Sequence, residues 1–468
     1  MRELFCAMMK EEWRLHATMF GSLSFALFPV LIGAITFMGS LILPFLGEII
    51  PGQTLSFLVH AQFLLLGVMV GGFGLLGQEV MNRRFGQASL LAYSSRTLPL
   101  SDRSIFAVFV VKDTVYYVIL WVLPFIAGIT LAAPWSGLSL PFIGTIALTL
   151  TLSFLTGLAA IFLLSTLYAR SMLLLAGVLA AGALLSALLL ATTNLDPVLF
   201  FPPYALSRSF TFPLLLYSLT VIAVPFALAI LFMTTEFPGR EKHIPDRFSP
   251  LAGRLGRLRS GPMVAKDLLD LRRSGGLVGQ TLFSFALPLA LIWVTLVVLA
   301  RVLPDTLILI TFAGVAGIIG ATIYTWVTEF DSIATYTFLP LGTPDLIRSK
   351  LTSFLLLQPL TMLAVLAGAI ASGEYGSFLP AAVLALSVSV YAASVMVWLT
   401  GLWPAVMVYD VRVLAASMLL IGPVLLGLIG AASISVLYAF GSALLLVPAF
   451  LFIQWSYRRW ETWEKAFY

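Results

Sequence analysis

Long apolar runs, interrupted by short polar segments, occupy most of the chain. Twelve of them reach the length of about 20 residues needed to cross about 30 Å of hydrocarbon. They lie near 20–43, 55–78, 105–131, 141–168, 172–193 and 213–235, then near 277–300, 306–328, 346–371, 378–402, 412–430 and 433–455. Between 412 and 455 the pattern is almost unbroken, with only Gly430 and Ser433 to mark a turn. The runs predict an all-α polytopic membrane protein with about twelve transmembrane helices.

The polar segments repeat. Lys10-Glu11-Glu12-Trp13-Arg14 precedes Ser24-Phe25-Ala26-Leu27, and Lys266-Asp267 with Arg272-Arg273 precedes Ser284-Phe285-Ala286-Leu287. Leu98-Pro99-Leu100-Ser101-Asp102-Arg103 is matched in the same order by Leu339-Pro340-Leu341-Gly342-Thr343-Pro344-Asp345. Repetition of this kind sets the architecture. It predicts two pseudo-symmetric six-helix modules: residues 1–235, a basic linker 236–261, and residues 262–468.

Composition agrees with a membrane protein. Of 468 residues 60% are hydrophobic and 10% charged, where a soluble protein carries roughly 25% charged residues. With the N-terminus inside, all the lysines and arginines except Arg208 and Arg301 fall on inner segments. The positive-inside rule therefore predicts both termini in the cytoplasm. The net charge of +5 follows from that bias and would draw anionic lipid rather than nucleic acid. Cys6 is the single cysteine, which leaves no internal disulfide to form. Acidic residues and a long apolar run argue against a cleavable signal at the N-terminus.

Before the first span, Leu4, Phe5, Met8, Met9, Trp13 and His16 recur at helical spacing, opposite Glu3, Lys10, Glu11 and Arg14. This predicts an amphipathic helix in the membrane interface, with Trp13 at headgroup level. Before the seventh span, Met263, Val264, Leu268 and Leu271 form one stripe and Lys266, Asp270 and Arg273 another. From lysine to the Phe of Ser-Phe-Ala-Leu the second copy is four residues longer, about one helical turn.

The loops after the second and eighth spans both begin with a glutamate, Glu79 and Glu329, and both end at Leu-Pro-Leu. Ser101 is expected to cap the helix after the first loop. After the second, Thr343 is expected to cap, with Pro344 in first helical position. Glu79 and Arg83 are spaced to pair on one helix face. The first loop is nine residues longer and adds Arg83, Arg84 and Arg96, whereas the second has Asp331.

With these segments in place the chain resembles the permease domain of ABC-2 type transporters (the type V exporter fold), taken twice and fused. The resemblance implies elbow helices carrying Trp13, Arg14, Lys266 and Arg273, and coupling helices in the two loops that dock on ATPase subunits. The docking candidates are Glu79, Arg83, Arg84, Phe85, Arg96 and Pro99, then Glu329, Asp331, Tyr336 and Pro340. The implied partners are two copies of a nucleotide-binding subunit, or a heterodimer, docked on the cytoplasmic loops, and the lipid bilayer of the cytoplasmic membrane around the spans. Most family members carry one six-span domain per chain, so the fused and unequal halves imply unequal contacts with their motors.

Other chemistry is sparse. There is no Gly-Lys pair, so no P-loop, and ATP with Mg is expected on the partners and no cofactor on this chain. His16, His60 and His243 have no metal-ligand spacing, and no catalytic constellation is present. His60, beside Gln62 within the second span, reads first as a helix-packing residue and second as a substrate contact. Residues 194–213 carry Phe200-Phe201-Pro202-Pro203-Tyr204 and Arg208. In the resembling family this position often holds a re-entrant cap, which makes Phe201, Pro203, Tyr204 and Arg208 candidates for one. Two rivals to an exporting permease are an ion-coupled secondary transporter and a non-transporting assembly factor. Few ionisable groups within the spans weigh against the first.

Overall fold

A computed structural model describes residues 2–20, 22–72, 101–192, 197–232, 246–258, 260–273, 280–300, 307–329, 336, 341–404 and 406–461. The chain divides into two compact units, Met1–Glu241 and Lys242–Tyr468. Among the described residues every regular element is helical, and ten helices are long and apolar enough to cross a membrane. This is a multi-pass membrane protein, in which each helix satisfies its own backbone away from water. Two predicted runs, near 20–43 and 172–193, contain shorter apolar helical stretches, Ala26–Leu41 and Leu173–Gly182, that are not among the ten.

In the first unit, α1 (Arg2–Phe20) is followed by α2 (Ser22–Leu41) and α3 (Gly52–Gly72). Next comes α4 (Asp102–Tyr117), whose N-cap Ser101 accepts the Ser104 N–H at 3.3 Å. A π-helical turn at Val118–Val122 joins α4 to α5 (Leu123–Ser136), with Pro124 just beyond it. Then follow α6 (Leu140–Arg170), α7 (Met172–Thr192), the short α8 (Pro202–Arg208) and α9 (Phe212–Phe232).

The second unit has α10 (Gly261–Arg273), a π-helical stretch at Gln280–Ala286, and α11 (Leu287–Ala300). One candidate span is made of α12 (Ile308–Ala321) and α13 (Ile323–Glu329), and the next of α14 (Thr343–Leu357) and α15 (Pro359–Ser372). They are followed by α16 (Phe378–Thr400), α17 (Val411–Ile434), a 3-10 segment at Val436–Leu445 and α18 (Leu446–Glu461).

Two local expectations are corrected. The turn between the last two spans lies at Ser435, which is extended at φ −154° and ψ 130°. Gly430 and Ser433 stay helical, the Ser433 hydroxyl donating to the Gly430 carbonyl at 2.6 Å; an apolar setting favours keeping each backbone group bonded within the helix. The N-cap of α14 is Gly342, and Thr343 is its first helical residue, so Pro344 comes second. Proline suits that first turn because its missing N–H has no helical partner there.

The units repeat a packing order. α3 runs along α6 and α9 packs on α6; likewise α12 runs along α16 and α18 packs on α16. Small residues permit the close approach. Gly67 of α3 lies against the backbone of Phe154 and Leu158, and Gly157 of α6 against that of Leu64 and Val68. A Cβ at Gly317 of α12 would stand 2.6 Å from the Ala385 carbonyl oxygen of α16. At the far end of α16, Gly401 has φ +63° and supports the Trp460 ring of α18. The Trp460 indole N–H donates to the Val397 carbonyl at 3.1 Å, and the Tyr324 hydroxyl to the Gly401 carbonyl at 2.9 Å.

Gly157→Leu and Gly317→Leu are each expected to destabilise the protein by about 1–3 kcal/mol through overpacking, lowering the thermal midpoint in detergent. Gly427 and Gly430, with open space where a Cβ would stand, should accept the same change with no shift in that midpoint.

Candidate functional site

Each unit holds a buried lysine near the start of a candidate span, Arg103–Ser136 in the first and Thr343–Ser372 in the second, paired with an acid on an earlier helix, α1 or α10. In α1 the residues Leu4 and Met8 are buried against Ile105 and Val108 of α4. One turn further along that face stands Glu12. Lys112 of α4 donates to Glu12 Oε2 at 2.9 Å and lies 2.5 Å from Asp113 Oδ1. The Lys112 side chain is 3% exposed, and its ammonium sits 4.7 Å above the Phe109 ring.

The second unit builds the same connection more completely. Val264, Asp267 and Leu271 form the buried face of α10. Lys350 of α14 donates to Asp267 Oδ1 at 2.6 Å and to the Val327 carbonyl of α13 at 3.1 Å. The Ser353 hydroxyl donates to Asp267 Oδ2 at 3.1 Å. One ammonium therefore ties together α10, the end of the second span and the beginning of the third. Both charged side chains are almost fully buried, at 4% and 2% exposure. Isolated charges would cost several kcal/mol each in such a setting, and the mutual attraction and added hydrogen bonds offset that penalty.

Around this pair stand two predicted residues. Lys266 bridges to Asp270 at 3.1 Å and places its ammonium 5.2 Å from the centre of the Tyr336 ring. Tyr336, between α13 and α14 in sequence, is buried and meets α10 through Lys266. Trp13, Arg14 and Arg273 are exposed. Glu329 ends α13. Glu79, Arg83, Arg84, Phe85, Arg96, Pro99, Asp331 and Pro340 lie outside the described residues.

The aromatic segment forms a separate group in the first unit. Pro202, Pro203, Tyr204, Ala205 and Leu206 of α8 are buried, packed on α3, α6 and α9. The Tyr204 hydroxyl donates to the Gln53 carbonyl at 3.0 Å, and its ring meets those of Phe57 and His60 at 5.3 and 5.6 Å. Phe201 stacks beside Tyr204, while Arg208 is exposed. His60 Nδ1 is 2.7 Å from the Ser56 carbonyl and Nε2 is 2.9 Å from the Thr149 hydroxyl of α6. A carbonyl only accepts, so Nδ1 carries the proton and Nε2 is the acceptor. His60 thus joins α3 to α6 and seats α8, in keeping with a packing role.

Sequence reasoning counted Lys112 and Lys350 among flanking charges and treated the spans as nearly free of ionisable groups. The structure places both lysines inside spans and pairs them. The visible signal was the spacing of Glu12 from Leu4 and Met8, and of Asp267 from Val264 and Leu271, which sets each acid on an inward face. Leu268, assigned to the apolar stripe, is half-buried while Asp267 is buried, because the carboxylate meets a lysine there. Among the described residues no group of His, Cys, Asp and Glu could hold a metal ion.

No protein-family model, curated protein or solved structure matches this chain.

Asp267→Asn or Lys350→Met alone should cost about 3–5 kcal/mol, because either leaves an uncompensated buried charge. The double variant Asp267→Leu with Lys350→Met should recover most of that loss. A double-mutant cycle on thermal midpoints checks it, and additive losses would deny the coupling.

Proposed function

We propose that the chain is the membrane permease of an ABC-2 type transporter, with two six-span modules fused in one polypeptide. In this reading it has twelve spans, both termini are cytoplasmic, and the helices before the first and seventh spans are elbows at the membrane interface. A substrate is exported, driven by ATP hydrolysed on separate nucleotide-binding subunits. The apolar helix faces suit a lipid-like or hydrophobic cargo. The buried segment with Phe201, Pro203 and Tyr204, flanked by Arg208, serves as a cap on the outer side.

One observation carries the reading: the same connection is made twice, from the helix before a unit's first span, α1 or α10, to a lysine in its third. A motor of this class would push where the loops after spans two and eight meet the membrane. A rigid tie at that level passes displacement into the third span instead of losing it in side-chain motion. In the second unit the tie also includes Val327, two residues before Glu329, and Lys266 meets Tyr336 from the loop itself. The scarcity of such charges elsewhere favours coupling over ion transport.

Tagged full-length protein, extracted in mild detergent from its native host, should bring down an ATPase whose activity rises in its presence. Consistent absence of any ATPase would refute the reading. Arg83→Glu with Arg84→Glu should weaken that association at least tenfold while leaving membrane insertion intact; unchanged association would remove those arginines from the interface.

A further inference from the structure

The third span of the second unit breaks at Gln358-Pro359, where α14 gives way to α15. Proline has no N–H to continue the ladder, and Gln358 donates its own N–H to the Leu355 carbonyl, three residues back, at 3.2 Å. The Gln358 side chain is 3% exposed, and neither its Oε1 nor its Nε2 has a hydrogen-bond partner in the protein. One turn later Thr361 is fully buried with its hydroxyl unpartnered, and so is Ser389 on the facing α16.

The two hydroxyls converge on one point. A Cβ at Gly320 of α12 would lie 2.6 Å from Thr361 Oγ1 and 3.0 Å from Ser389 Oγ. Thr361 and Gln358 are three residues apart and share a helix face. Two helices thus bring two unpartnered hydroxyls to one notch beside Gly320, where a Cβ would collide with them, and Gln358 carries its unpartnered carboxamide one turn before Thr361.

Several other buried hydroxyls of the chain are satisfied within their own helix. Those of Ser153, Thr166, Ser218, Ser394 and Thr400 donate to a carbonyl three or four residues earlier. That bond is always within reach of a helical serine or threonine. Thr361 and Ser389 forgo it, although an unbonded polar group in an apolar interior costs free energy.

We propose that Gln358, Thr361 and Ser389 form a binding site for internal water at the break in the third span. The chemistry of the group selects a small neutral ligand that both donates and accepts. The carboxamide offers two N–H donors and one oxygen, and each hydroxyl can act either way. A bare cation would satisfy the oxygens but leave those N–H groups unbonded. It would also be uncompensated, since α12, α15 and α16 carry no charged residue and Lys350 on α14 already holds Asp267. Water supplies the two to four bonds that such a site needs, and takes over where proline has interrupted the backbone ladder.

Thermal midpoints of the purified full chain test this. Thr361→Val and Ser389→Ala should each lower the midpoint by about 2 °C or more, because each strips a partner from the water. The triple variant with Gln358→Leu should lose less than the sum. Single substitutions that leave the midpoint unchanged or raise it would overturn the proposal, since removing a truly unbonded hydroxyl relieves a penalty. A higher wild-type midpoint in sodium chloride than in choline chloride at equal ionic strength, abolished by Thr361→Val, would overturn it in favour of a cation. Should the triple variant not fold, a high-resolution density map decides. A water within hydrogen-bonding distance of two of the four unpartnered atoms supports the site, and a dry notch in a map that shows other internal waters rejects it.

Discussion

A buried lysine ammonium held against a carboxylate fixes the base of each unit. The Asp267–Lys350 pair is the clearer case, because its cost is so nearly met. The carboxylate accepts from Lys350 and Ser353, and the ammonium also reaches the Val327 carbonyl. A buried ion pair adds little net stability compared with apolar residues of equal volume. What it adds is a penalty for any other arrangement. If α10 shifted by a turn against α14, two charges would lie uncompensated in a medium of low dielectric. The packing of α10 on α14 is therefore all-or-none.

The first unit reaches the same end with different parts. Lys112 faces an acid across the helix pair, Glu12, and another on its own helix, Asp113. Leu4 and Met8 against Ile105 and Val108 supply the apolar part of the contact. The role is shared while the residues and their register differ. Duplicated modules that kept the constraint and changed its details would look this way.

Much of the architecture was legible because the hydrophobic effect writes it in long runs. Each of the ten candidate spans falls on a predicted run, most of them within a few residues at both ends, and the last begins at Val436 after the turn shifted to Ser435. The buried pairs were harder to read. A lysine at position 112 or 350 looks like one more inner-side charge, since the positive-inside rule counts residues and not their partners. What distinguishes these two is an acid more than eighty residues away in sequence, visible only once α1 meets α4 and α10 meets α14. Tyr336 gave a similar lesson: nothing around it in the sequence marks its ring as buried, with the Lys266 ammonium 5.2 Å from its centre. The Thr343 cap failed for a local reason, because Gly342 reaches the extended geometry of an N-cap, φ −81° and ψ 155°, and frees threonine to begin the helix.

Both third spans are interrupted on the same side of their lysine. In the first unit a π-helical turn follows at Val118–Val122 with Pro124 after it, and in the second the break falls at Gln358-Pro359. The segment before the interruption is tied by charge to α1 in the first unit and to α10 in the second. The segment after it is held by apolar packing, including Gly128 of α5 against Gly33 and Thr36 of α2, and Gly368 of α15 against Phe312 and Trp293. These two kinds of restraint respond differently to displacement. An ion pair in low dielectric resists separation steeply, whereas apolar faces can slide with small loss as long as their area stays covered. A helix restrained strongly below a break and weakly above it will bend at the break. Rigid coupling at one end of the span and compliance in its middle thus follow from where the lysines and prolines stand in the sequence.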